Sequence, residues 1–93
     1  MQYQIYNLNF QKRDSVVEIT LTAAANVRMM DAMNYDLFKN KQQHKYFGGF
    51  VTVSPYRMAI PWDGHWVVLI DASSDPNFKP SVKVLARNLP GAR

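Results

Sequence analysis

PWDGHWVVLIDAS, residues 61–73, decides the fold class of this chain. Asp63-Gly64 is a turn dipeptide between two apolar runs. Five unbroken apolar residues follow, Trp66 to Ile70, closed by Asp71. Extended, His65, Val67, Leu69 and Asp71 share one face, and Trp66, Val68, Ile70 and Ala72 share the other. A run apolar on both sides in mid-span but polar at one side's ends reads as a central strand, His65–Ala72, covered on both faces. The same geometry removes a catalytic reading. His65 and Asp71 lie six residues apart, about 20 Å along a regular strand, too far to hydrogen-bond. His65 then reads as a polar cap on the strand or as a ligand contact at the sheet rim. Asp71 reads as a turn former ahead of Ser73-Ser74.

Outward from this strand, most segments repeat its period. Val17, Ile19, Leu21 and Ala23 alternate with Val16, Glu18, Thr20 and Thr22, as in a half-buried strand. Tyr3 and Ile5 oppose Tyr6, Leu8 and Phe10 across a weaker alternating run, and Gln11–Asp14 forms the polar turn between the two. Asn26–Met30 is a short third strand. Met30, Met33, Leu37 and Phe38 then fall at helical spacing behind Asp31, an N-cap residue, with Lys39 and Lys41 suited to the helix end. These methionines read as core fillers. Gly48-Gly49 breaks the chain before Phe50–Ser54, a strand that Pro55 ends or confines to an edge. Tyr56–Ile60 is strand-like, Ser73–Asn77 is a loop, and Ser81–Arg87 is a last strand. This is a mostly β chain with one short helix, Asp31–Asn40. Its frequent turn signals predict a single antiparallel β-sandwich or barrel, jelly-roll-like. The domain spans residues 3–87, with 88–93 as a flexible tail.

The 93 residues are enough for one domain with a thin core. There is no cysteine, so neither disulfides nor thiolate zinc sites can support it. The N-terminus, MQYQIYNLNF, has no basic n-region or apolar h-region, and no apolar run approaches a membrane span. The chain therefore reads as soluble and cytoplasmic, with no membrane partner. A net charge of +4 raises the odds of an anionic partner without requiring one.

Catalytic patterns are weak. His44 and His65 are the only histidines, with no metal-ligand spacing, so neither a metal nor another cofactor is expected. No nucleophile elbow surrounds Ser54, Ser73 or Ser74, and Asp31 and Asp36 lie off a common helical face. The richest segment is Lys39–Phe50, in which lysines, a histidine and aromatics mix without an acid. Basic groups interleaved with rings can hold phosphates and stack bases, and paired glycines permit close backbone approach. The same segment also reads as a solvated loop leading aromatics into the core. The candidate ligand-binding residues are Lys41, Lys45, Tyr46, Tyr56, Arg57, Trp62 and His65.

Val16-Val17-Glu18, Ala25–Asp31, Tyr46-Phe47-Gly48-Gly49, Ser54-Pro55-Tyr56-Arg57 and Gly64-His65-Trp66, in this order, resemble a small bacterial family known as domain of unknown function 1883. The resemblance runs over residues 3 to 87. It implies a compact, mostly β domain, found alone or joined to Toll/interleukin-receptor-like signalling domains, and hence a sensing or adaptor role. It carries no catalytic residues. Ile60–Asp71 also resembles a turn and strand of jelly-roll-like accessory domains of secreted enzymes, at the level of fold alone. The function expected is a non-catalytic ligand-binding or sensing module for a small or polymeric ligand, with anionic ligands among the candidates. A protein-interaction or adaptor domain using an exposed edge strand is second, and nucleic-acid binding third.

Overall fold

The structure, a computed structural model, describes residues 3–71 and 77–85. In chain order the elements are β1 (Tyr3–Gln11), β2 (Val16–Thr20), β3 (Ala25–Asp31), α1 (Ala32–Lys39), β4 (Phe47–Val51), β5 (Tyr56–Ala59), β6 (Gly64–Asp71) and β7 (Ser81–Leu85). Of the described residues, 55% lie in strands. The strands form two antiparallel sheets, ordered β1-β6-β3-β4 and β5-β2-β7. The architecture is thus an open sandwich rather than a closed barrel. Successive strands mostly step from one sheet to the other, as they do in a jelly roll.

β6 owes its place to its two apolar faces. Trp66, Val68 and Ile70 enter the core between the sheets, beside Val17, Ile19, Val27 and Met29. Val67 and Leu69 point the other way and pack with Met30 under Tyr35 and Phe38 of the helix. Full burial of each such side chain is worth about 1.5–3 kcal/mol, so a strand apolar on both sides is most stable in mid-sheet. β3, its neighbour, divides likewise between Met29 and Met30.

The helix begins and ends as its sequence allows. The Asp31 carboxylate accepts a 2.9 Å hydrogen bond from the Asn34 N–H, as an N-cap does. At the other end the Lys41 N–H donates to the Phe38 carbonyl (3.1 Å) and the Gln42 N–H to the Leu37 carbonyl (2.8 Å). That is a Schellman closure, with Lys41 at φ 59° where glycine is usual.

Four expectations need correction. Met33 is 73% exposed and fills no core, because Tyr35 and Phe38 form the face turned to the sheet. Phe10 does not share the side of Leu8. A bulge between Asn7 and Asn9, with Asn9 at φ 61°, resets the alternation and turns Phe10 out against His65. Ala23 is exposed, since β2 stops at Thr20. Gly48-Gly49 does not break the chain. It lies within β4, paired with Arg28 and Val27. Gly48 adopts φ 121°, and a Cβ there would collide with the Val27 carbonyl oxygen. The turn at Asp63-Gly64 joins strands of different sheets, and the Asp63 carboxylate accepts the Arg13 N–H at 2.7 Å. The loop expected at Ser73–Asn77 falls, except for Asn77, outside the described residues. So do Ala72, the end of the last expected strand (86–87) and the tail, 88–93.

Candidate functional site

One end of the four-stranded sheet gathers Tyr46, Phe47, Trp62 and Trp66. There β3 runs into α1, and β4 and β6 begin. Register places Phe47 beside Met29 and Trp66 beside Asp31. The loop before β6 adds Trp62, fixed by a 3.0 Å hydrogen bond from Trp66 Nε1 to the Trp62 carbonyl. Phe47, Trp62 and Trp66 contact one another with ring centroids 5.1–6.1 Å apart, all steeply inclined. Trp66 is wholly buried, whereas Phe47 and Trp62 are 41% and 47% exposed.

These rings form one wall of an open cleft of about 430 Å³, lined also by Met30, Asp31, Asn34, His44, Lys45 and Tyr46. Its polar side is held by Asn34. The Asn34 side-chain N–H donates to Asp31 Oδ1 at 2.8 Å, and its Oδ1 accepts the Lys45 N–H at 2.8 Å. One asparagine thereby ties the helix N-cap to the loop that leads into β4. His44 Nδ1 bonds the Gln42 carbonyl at 3.0 Å, and its ring meets Phe38 edge-on at 5.3 Å. Tyr46 lies under the Arg28 guanidinium, 5.0 Å from ring centre to Cζ, and Arg28 donates to the Tyr3 hydroxyl at 3.1 Å.

The seven candidate residues divide by location. Lys45, Tyr46 and Trp62 line this cleft. His65 lines a separate one of about 390 Å³ between α1, β1 and β6, with Ile5, Asn7, Ala32, Tyr35, Asp36 and Val67. Lys41 closes the helix. Tyr56 and Arg57 belong to the other sheet, where Tyr56 packs on the main core. Arg57 is not a free cation. β5 lies beside β2, opposing it to Glu18, and Nη2 and Nε both reach Glu18 Oε2 at 2.8 Å. Lys83 of β7 holds the other carboxylate oxygen at 3.3 Å. Hydrogen bonding from Arg57, then from Lys83, lowers the Glu18 pKa below its ordinary value.

Asp31, Asn34 and His44 were not among the candidates. Asp31 carried a legible N-cap signal, but nothing local shows that the residue capping the helix also faces the tryptophans. Asn34 has no signal of its own, since one partner caps the start of the helix and the other lies eleven residues on, in the loop before β4.

Among the described residues, no three histidine, aspartate or glutamate side chains converge as metal ligands would. No described helix is long and apolar enough to cross a membrane. Comparison with curated proteins and with solved structures returned no match. The model of a family described as a domain of unknown function, DUF1883, matches residues 1–88, nearly the whole chain, and the chain belongs to that family.

Proposed function

We propose that this domain is a non-catalytic binding module whose site is the cleft between Trp62, Phe47 and the Asp31–Asn34–Lys45 frame. The observation that carries the reading is the half-exposed aromatic wall. A thin-cored domain gains by burying its largest rings, yet Tyr46, Phe47 and Trp62 stay 41–47% exposed around an open cleft with hydrogen-bonded polar groups on its far side. A concave apolar surface with a few fixed polar groups is the usual form of a small-molecule site. A ligand with one flat face would cover Trp62 and Phe47 and present its polar edge to Asp31, His44 and Lys45. The cysteine-free composition fits work in the cytoplasm.

The test is a screen of small ring-bearing compounds against isotope-labelled protein by NMR. Amide shifts are expected to gather at Asn34, Lys45, Phe47 and Gly64 and to vanish in Trp62→Ala. Shifts confined to other surfaces would overturn the reading.

A second reading rests on β4. Among the described residues this edge strand has neighbours on one side only, and Phe50 is 67% exposed upon it. Edge backbone with no charge or proline between Phe47 and Val51 can accept a strand from a partner protein. Concentration-dependent mass by light scattering, abolished by Phe50→Lys, would favour it.

A further inference from the structure

We infer that the cleft selects an uncharged, polyhydroxylated ring, a sugar residue free or within a chain. The inference rests on the proposed binding role of that cleft and goes further, to the class of ligand.

Charge decides first against an anion. Among the described residues, Lys45 is the one lysine or arginine that lines the cleft, and the Asp31 carboxylate lines it too. Lys41 closes the helix through its backbone and does not line the cleft, and three other basic groups are engaged elsewhere. Lys39 pairs with Asp36 at 3.3 Å and lies over Tyr35, and Arg28 is held against Tyr3 and Tyr46. Arg57 is bound to Glu18 on the other sheet. Phosphate recognition draws on several converging cations; here one cation stands against one carboxylate. A cationic ligand would in turn meet Lys45, and the mutually packed rings leave no box between them in which an ammonium could sit.

The hydrogen-bonding inventory narrows the class. Asp31 Oδ1 is occupied by the Asn34 N–H and side-chain amide, while Oδ2 has no hydrogen-bond partner among the described residues. The Gln42 carbonyl can only accept, so His44 Nδ1 donates to it. Lys45 Nζ makes no ion pair among the described residues and can only donate. A ligand must therefore both donate and accept along one edge while laying an apolar face on Trp62. Ring hydroxyls do both, and the C–H face of a sugar ring packs on an aromatic surface through dispersion and weak C–H contacts.

The chain's two tryptophans both line the cleft, so their emission reports occupancy directly. The experiment is a titration against an array of neutral mono- and oligosaccharides, beside adenosine, adenosine monophosphate and inorganic phosphate, with binding confirmed by calorimetry. A saccharide is expected to shift the emission with an affinity that changes less than about twofold between low and high salt, because no phosphate counterions are displaced. Trp62→Ala is expected to weaken it at least about tenfold, the scale of a lost stacking platform. Asp31→Asn, which keeps a good helix cap, is expected to weaken it several-fold with unchanged circular dichroism. Binding of the nucleoside or of an anion in place of every sugar would leave the cleft a binding site and overturn the sugar assignment. Sugar binding indifferent to both substitutions would overturn it too, by placing the sugar elsewhere. No response to any probe would overturn the assignment together with the binding role on which it rests.

Discussion

At the scale of single residues, neighbouring positions carry opposite loads. Trp66 and Trp62 contact each other, yet one is a core residue and the other an exposed one. Trp66→Ala would open a large void between the sheets and leave the Trp62 carbonyl without its donor. We expect a loss of about 3–5 kcal/mol, read as a lower urea midpoint. A loss below about 1 kcal/mol would remove Trp66 from the core. Lys41 is a case of the opposite sign. Its φ of 59° closes the helix in a conformation that suits glycine. Lys41→Gly relieves that strain but loosens the unfolded chain. The balance should raise stability by up to about 1 kcal/mol, and a fall of more than that in urea melts would show that the lysine side chain itself matters.

At the scale of elements, the smaller sheet has an electrostatic clasp. Glu18 sits in the middle strand, with Arg57 and Lys83 opposite it on the two flanking strands. The folded-state pKa of Glu18 is depressed. The stability this contributes is therefore fully present above the unfolded value of about 4.3, and is lost as pH falls through the lower, folded value. Since these groups meet solvent, the effect is modest and weakened by salt. Urea midpoints of the wild type should drop from neutral pH to about pH 3 by more than those of Glu18→Gln. Equal drops in the two proteins would show that other carboxylates govern acid sensitivity. Alternation made Val17 and Ile19 legible as core, but left Glu18 only as a polar residue in mid-strand. Its partners lie 39 and 65 positions away, and only strand order brings them together.

At the scale of the whole molecule, the three layers are unequal. Among the described residues, thirteen buried ones hold the two sheets together, whereas three, Met30, Val67 and Leu69, anchor the helix layer. Local opening is cheapest where buried apolar contact is least. Amides of α1 should thus exchange with solvent well before those of β6 in native-state hydrogen exchange. Simultaneous exchange would mean that the helix and the sandwich form one cooperative unit. The aromatic cleft lies where the two layers meet, with Asn34 of α1 bonded to the loop before β4. A ligand bound there should slow exchange in α1.

What the amino-acid sequence determines by itself is the set of elements and their inner faces. Period-two alternation marks β2, the doubly apolar run marks β6 as central, and Asp31 ahead of a helical period marks α1. Each of these signals is local, because side chains near in sequence must share one face or one turn. Tertiary structure alone decides where the faces meet. A single-residue bulge turns Phe10 outward, strand order gives Arg57 to Glu18, and sheet register puts Asp31 beside Trp66. Such placements depend on pairings between strands far apart in the chain, which no local period encodes. For that reason Lys45, Tyr46 and Trp62 converge on one cleft while Lys41, Tyr56, Arg57 and His65 lie outside it.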